Sequence, residues 1–145
     1  PRNSFKETTL VSNEYLLARI AIGHATHTAS TATGYFVGNA NYRGLAFGLA
    51  REGALLAHLA IYEACWDFPI GDCTNVDILK AFDKAIHDGV DVLSVSLGFS
   101  IPLFSYVYLR DSLVVGSFHA TVKGITVICF AGNSGPLSNH YNFIL

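Results

Sequence analysis

The sequence has no methionine, one tryptophan, four prolines and little charge, with Asp, Glu, Lys and Arg making up 14% of its 145 residues. Its formal net charge is −2, and it has no run of lysines and arginines. These absences leave no electrostatic case for a nucleic-acid partner or an anionic membrane surface. Because the chain begins at Pro1 rather than at methionine, we expect it to be processed or a fragment, with any signal peptide outside it.

Nucleotide-binding and metal-binding patterns are also missing. No G-x-G-x-x-G or G-x-x-x-x-G-K-[ST] segment occurs, so nucleotide binding has no fingerprint. The three cysteines, Cys65, Cys73 and Cys129, do not make a zinc site. Cys65 and Cys73 are close enough to close a small disulfide loop in an oxidising compartment, whereas Cys129 lies in an apolar run and is expected to be a buried thiol. We therefore predict no metal and no cofactor.

Apolar residues are what the sequence has in abundance, at 51% of the chain with a mean hydropathy of +0.38. This balance is typical of elements buried on both faces, as in a covered parallel sheet, and the length suits one modest domain. One uncharged run, Val92 to Leu109, contains four serines, Gly98 and Pro102. Period-two alternation followed by a proline predicts a strand that leaves into a loop, rather than a membrane helix.

Strand and helix patterns alternate from Ala57 onward. They predict strands over 57–66, 90–98 and 125–132, separated by helices over 74–89 and 111–124. Thr74 and Asp111 are suitable N-caps, and Gly89 and Gly124 suitable end residues. The pattern predicts an α/β fold with a parallel sheet. We expect irregular or hairpin structure from Tyr35 to Ala54.

The apolar faces of the two helices differ in character. In the helix predicted over 111–124, Val114, Phe118 and Val122 form the expected apolar stripe. Small residues next to this stripe permit a close approach to a neighbouring element. Those small residues are Gly116, Ser117 and Ala120. In the helix predicted over 74–89, the expected buried face has five residues, Ile78, Leu79, Phe82, Ala85 and Ile86.

Two histidines stand three residues apart in the segment GHATHTASTATG, residues 23–34. Zinc-binding helices place their histidines four residues apart around a glutamate, and no nearby carboxylate offers a third ligand here. Gly23 permits a tight entry into a helix whose first imidazole, that of His24, can act as a general base near neutral pH. On the residues alone, two polar histidines on a surface helix are an equally good interpretation.

The loops after the second and third strands are the other candidates, because ligands gather outside the carboxyl ends of parallel strands. These loops are SLGFS, residues 96–100, and AGNSGP, residues 131–136. A turn after a central strand can direct the amide of Asn133 at a developing oxyanion. Asn-Ser-Gly-Pro is equally a turn sequence without any catalytic role.

Taken together, these segments resemble subtilisin-like serine proteases. GHATHTASTATG is similar to the catalytic-histidine segment of that family, whose usual form is G-H-G-T-H-[TV]-A. The continuations GLAFGLAREGALLAHLAIYEACW, DILKAFDKAIHDGVDVLSVSLG and GSFHATVKGITVICFAGNSGP resemble the plant branch of the family. The resemblance is strongest over residues 23–136, in the order and spacing of the family, and implies one partial peptidase domain over 1–145 with no second domain.

The resemblance implies a fold, a set of site residues and a location. The fold is part of a three-layer α/β sandwich, a parallel sheet with helices on both faces. His24 corresponds to the catalytic base and Asn133 to the side-chain donor of the oxyanion hole. The residues implied to line the substrate cleft are Ser96, Leu97, Gly98, Ala131 and Gly132. The implied partner is a peptide or protein substrate outside the cell, with no nucleic acid and no membrane, and the oligomeric state stays open.

Departures from the family pattern bear on activity. Residues 1–22 contain no aspartate for the triad, and no G-T-S-M segment supplies its serine, so we expect the chain alone to be inactive. The family's usual glycine is replaced by Ala25, its usual proline by Leu55 and a second common glycine by Phe99. Phe130 replaces a small residue, at a position where its ring could fill the primary specificity pocket. The alternatives are a non-catalytic binding or decoy module that keeps the cleft, or a gene remnant.

Overall fold

The computed structural model describes residues 23–65, 73–98 and 111–130. Their contacts form two compact units, which we call the helix–hairpin unit (residues 23–61) and the α/β unit (residues 62–65, 73–98 and 111–130). The elements in chain order are α1 His24–Thr33, β1 Val37–Tyr42, β2 Leu45–Ala50, α2 Asn75–Asp88, β3 Val92–Val95, α3 Ser112–Val122 and β4 Thr126–Cys129.

The helix–hairpin unit contains the hairpin expected between Tyr35 and Ala54, which is thereby confirmed. Strands β1 and β2 pair antiparallel, with Tyr42 opposite Leu45. The two-residue turn between them places Arg43 at φ 51° and Gly44 at φ 82°, the left-handed pair that matches the twist of a tight hairpin. Beyond β2, the Ala54 N–H donates to the Ala32 carbonyl over 2.8 Å, which ties the hairpin to the last turn of α1.

Helix α2 of the α/β unit begins and ends where the sequence predicts. The Thr74 side chain accepts a hydrogen bond from the Asp77 N–H over 3.2 Å, so it caps the free amides of the first turn. Gly89 follows the helix at φ 72°, a left-handed conformation that is strained for other residues. Ile78, Phe82 and Ala85 are buried on the predicted face, which confirms the helix and its orientation.

Helix α3 is confirmed in its limits but not in its expected stripe. Asp111 caps it by accepting hydrogen bonds from the Leu113 and Val114 N–H groups over 2.8 and 3.1 Å. Phe118 and Val122 are 65% and 67% exposed, so only Val114 of the predicted stripe is buried. The buried face is instead the close-approach face, which consists of Leu113, Gly116, Ser117 and Ala120.

The contact between Gly116 and Phe82 explains why α3 buries its small residues rather than Phe118 and Val122. A Cβ at position 116 would lie 2.5 Å from Cγ of Phe82, so the aromatic ring occupies the space that a side chain at 116 would take. The face without side chains lets the two helices approach, and a large ring then fills the gap. Close packing of the small face outweighs burial of the larger side chains on the other side of α3.

Strands β3 and β4 form the parallel pair that the sequence predicts, with Val92 opposite Thr126 and Val95 opposite Cys129. Half-buried side chains from both strands pack against a core cluster shared with α2 and α3. The cluster consists of Ala64, Ile78, Phe82, Leu113, Ala120 and Ile125. No helix within the described ranges is long and apolar enough to cross a membrane.

The strand predicted over 57–66 is wrong for the residues that the structure describes. Residues 57–65 form no strand, because a strand needs a paired neighbour and, within the described ranges, β3 pairs with β4 only. The apolar segment instead contributes a side chain to the core. Ala64 is 6% exposed and belongs to the core cluster.

Cys65 and Cys73 form a disulfide across a sequence separation of 8, as their proximity suggested. Replacing both with serine is expected to lower the free energy of unfolding by about 2–3 kcal/mol, because the open chain regains the entropy that the short closed loop removes. Urea unfolding followed by circular dichroism checks this. A reductant should destabilise the parent equally and leave the double variant unchanged, and equal midpoints for parent and variant would contradict the prediction.

Candidate functional site

Gly23 and His24 form the entry into helix α1. Gly23 adopts φ 78°, and its carbonyl accepts the first helical hydrogen bond from the His27 N–H over 3.0 Å. His24 is therefore the first helical residue, and it is exposed. The expectation of a helix that starts at His24 after a tight glycine entry is confirmed. This arrangement places the His24 imidazole at the open end of a helix, where a reacting group can approach it.

His27 lies one turn further along α1 and is also exposed. The hydroxyls of the helix are directed to its own backbone, with Ser30 and Thr31 donating to the His27 carbonyl over 2.8 and 3.0 Å. Across residues 23–65, 73–98 and 111–130, no group of three or more His, Cys, Asp or Glu side chains could hold a metal ion. Both imidazoles are thus exposed on α1, and the general-base role of His24 stays a prediction.

Ser96, Leu97 and Gly98 follow β3 directly, at the carboxyl end of the parallel pair. Leu97 packs its side chain against the core cluster, so only its backbone can face a ligand. Ser96 is half-buried and Gly98 is exposed. Ala131, Gly132 and Asn133, which the sequence assigns to the facing loop, lie outside the described residues. Three of the five residues predicted to line the cleft are thus described, and they follow the carboxyl end of β3, where ligands of parallel sheets gather.

Phe130 extends the ladder one residue past β4, since its N–H donates to the Val95 carbonyl over 3.3 Å. Its ring lies against Gly98. A Cβ at position 98 would overlap Cε1 and Cζ of Phe130 and lie 3.7 Å from Cε2. The sequence identified Phe130 as a residue that could fill the primary specificity pocket, but it could not predict the contact with Gly98, because that contact depends on the register of the strands.

Cys129 is a poor candidate nucleophile. Burial raises the pKa of its thiol, partly offset by a hydrogen bond with Ser117. The thiol is therefore protonated at neutral pH, and the thiolate is the reactive form of cysteine. Cys129 is half-buried rather than fully buried.

Asp88 and Tyr62 lie at the other end of the α/β unit from the loops at Gly98, at the end of α2. The Lys84 ammonium holds the pKa of the Asp88 carboxyl below its usual value, mainly through a hydrogen bond of 2.6 Å. The Tyr62 hydroxyl donates to the same carboxylate over 3.0 Å. These exposed side chains lie at the end of α2, and with one carboxylate among them they are not a pair of catalytic carboxylates.

Comparison with known proteins relates the chain to a peptidase family. The model described as "Subtilase family" matches residues 4–143. The chain belongs to the subtilase family. The α/β fold inferred from the sequence agrees with this membership, and the described elements of the chain are those of a partial α/β fold.

Curated plant proteins match nearly the whole of this subtilase chain. Subtilisin-like protease SBT3.6 of Arabidopsis thaliana is 51% identical over 136 residues, which are 92% of this chain and 17% of the relative. Subtilisin-like proteases SBT3.5 and SBT3.2 of the same plant are each 54% identical, over 131 and 127 residues, or 88% and 86% of this chain. The chain spans about 17% of the length of each of these relatives.

Proposed function

We propose that this chain is the segment of a serine endopeptidase that carries the general base and the oxyanion-hole donor. The observation that supports the proposal is the position of His24, exposed as the first residue of α1 behind a left-handed Gly23, within a chain that belongs to the subtilase family. The substrate is a peptide or protein, and the complete protein hydrolyses its peptide bonds.

In this proposal the residues divide one reaction between them. The His24 imidazole takes the proton of a serine hydroxyl as that oxygen attacks the scissile carbonyl, and returns it to the leaving amine as the acyl-enzyme forms. The Asn133 amide donates to the oxyanion that develops on the carbonyl oxygen. Ser96–Gly98 and Ala131–Gly132 hold the substrate backbone, and no metal or cofactor takes part. The serine and the aspartate that orients the imidazole come from the rest of the protein.

An oxidising location fits the same proposal. The Cys65–Cys73 disulfide persists outside the reducing interior of a cell, and an extracellular peptidase works there. We propose secretion on this ground and on the resemblance to plant subtilases.

A segment exchange tests the proposed function. In what we call the chimera, this chain replaces the matching 131-residue segment of Subtilisin-like protease SBT3.5. The chimera is expected to hydrolyse a fluorogenic peptide, because the host supplies the other two triad members, while the 145-residue chain alone is expected to show no turnover. Turnover by the chain alone, or a folded chimera without activity, would contradict the proposal.

The alternative is a non-catalytic module that retains the cleft and binds peptides without cleaving them. The contact between Phe130 and Gly98 is the observation that favours it, because the ring takes the space directly beside a residue of the predicted cleft. A folded, inactive chimera that still binds peptides would favour this alternative over the protease.

A further inference from the structure

Helix α1 carries no large apolar side chain that could fix it by packing. Its ten residues are histidine, alanine, serine and threonine only. The half-buried face of the helix consists of Ala25, Thr28, Ala29, Ala32 and Thr33. A helix of this length is marginal on its own in water, and methyl groups bury little apolar surface. Packing of its side chains is therefore a weak hold on α1, and on His24 at its first position.

The hydroxyl groups of α1 serve the helix itself. Four of them donate to carbonyls three or four residues back in the same helix, those of Thr28, Ser30, Thr31 and Thr33. Bonds of this kind weaken or bend a helix and do not attach it to a neighbour. A specific attachment of α1 has to come from its backbone.

Residues 52–54, which we call the α1 clamp, supply that backbone attachment. The last four carbonyls of an α-helix have no partner within the helix. Two of these carbonyls in α1, those of Thr31 and Ala32, accept from the clamp. Their donors are the Gly53 and Ala54 N–H groups, over 3.3 and 2.8 Å. The clamp therefore fixes the last turn of α1 as well as satisfying it.

Gly34 is the residue that lets the clamp reach the helix. Its φ of −63° and ψ of 150° are open to any residue, so the backbone conformation does not require glycine. The space around it does. A Cβ at position 34 would overlap the Ser30 carbonyl oxygen and lie 2.5 Å from Cγ of Glu52, which is half-buried. A methyl group at position 34 would push the clamp away from the last turn of α1.

We infer that Gly34 is a positioning residue for His24: by leaving room for the clamp, it fixes the direction of the helix whose first residue is the base. This inference rests on the proposed function, in which His24 takes and returns the proton. Gly34 lies ten residues after His24, about 15 Å along the helix axis, so a small tilt at the last turn displaces the imidazole. A displacement of about 1 Å lowers the rate of an enzymatic reaction by about 100-fold.

Gly34→Ala in the chimera tests the inference against Gly38→Ala. Gly34→Ala is expected to lower kcat and kcat/KM by the same factor, about 10- to 100-fold, with KM unchanged. The reason is that a displaced base acts in the chemical step and not in substrate binding. Gly38→Ala removes a glycine from β1 of the same unit, where a Cβ would meet no atom of the described residues within 4 Å. Its kinetics should equal the parent's when rates are expressed per folded molecule, measured by circular dichroism.

Two further variants separate positioning from a general loss of structure. Glu52→Ala lacks the Cγ that the new methyl group would meet, so Gly34→Ala/Glu52→Ala should regain about 3-fold or more of the lost kcat. The recovery is partial, because the overlap with the Ser30 carbonyl remains. Ala54→Pro approaches the same contact from the clamp, since proline has no N–H to donate to Ala32. It should lower kcat in the same range, again with KM unchanged.

Hydrogen exchange gives a readout that does not depend on catalysis. In the 145-residue chain, the Gly53 and Ala54 amides should exchange at least about 10-fold faster in Gly34→Ala than in the parent. Amides that pair across β1 and β2 should keep the parent's rates, as should all of these amides in Gly38→Ala. Unchanged exchange at Gly53 and Ala54 would overturn the inference whatever the activity.

The kinetic outcomes distinguish this inference from the proposed function. An active chimera in which folded Gly34→Ala and Ala54→Pro keep the parent's kcat overturns the inference and leaves the proposed function standing. Equal losses in Gly34→Ala and Gly38→Ala overturn it as well, because the effect would then belong to any lost glycine. A folded chimera without activity refutes the proposed function, and the positioning role falls with it because no base is then at work.

Discussion

His24→Ala in the chimera is expected to lower kcat by about 10⁶-fold, the size of the loss when the triad histidine of a subtilisin is removed. The reason is that a serine hydroxyl is a weak nucleophile until a neighbouring base takes its proton. His24 is exposed at the entry of α1, behind Gly23, and is the base in the proposed function. Single-turnover and steady-state assays on one fluorogenic peptide measure the loss.

The matched control is His27→Ala, three residues along the same exposed helix. It removes an identical side chain that has no place in the proposed reaction, so kcat is expected to stay near that of the parent. Added imidazole should partly restore hydrolysis in His24→Ala, because a free base can enter the space left by the missing ring. If the two variants lost activity equally, or neither lost it, both histidines would be polar residues of a surface helix and the proposed base would be wrong.

Local chemistry explains why the ends of the helices could be predicted from sequence. Thr74 and Asp111 satisfy backbone amides within three residues, and Gly89 adopts a left-handed conformation at the end of its helix. Each of these features depends on neighbours in the chain alone. The entry into α1 is of the same kind, since Gly23 and His24 are adjacent. For that reason four of the seven candidate site residues, His24 and Ser96–Gly98, lie at the ends of elements, where the motifs predict them.

Contacts between distant segments account for what the sequence could not predict. The segment 57–65 has the composition of a strand, but a strand forms only when a neighbour pairs with it. The buried face of α3 was misassigned because hydropathy favours Phe118 and Val122, whereas Phe82 selects the face with Gly116. The Phe130–Gly98 contact has the same origin, because only the register of β3 and β4 brings these residues together.

Phe82→Ala is expected to lower the free energy of unfolding of the α/β unit by about 3–5 kcal/mol, the usual cost of removing a buried aromatic ring and leaving a cavity. Phe82 is 6% exposed and belongs to the core cluster. Its ring also fills the space over Gly116, so its removal separates the contact surfaces of α2 and α3. Urea unfolding of the 145-residue chain, followed by circular dichroism, measures the change against a cooperative transition in the parent.

The sign of a second substitution shows whether the Phe82–Gly116 contact carries this effect. Gly116→Ala alone is expected to cost about 1–3 kcal/mol, because its methyl group would overlap the buried ring. In the Phe82→Ala background the same substitution should become stabilising by about 0.5–1 kcal/mol, since alanine is the better helix former and the ring is gone. Phe118→Ala, on the exposed side of α3, should change little. Additive effects of the two substitutions would show that the helices pack without this contact. A parent chain without a cooperative unfolding transition would favour the alternative of a gene remnant that does not fold alone.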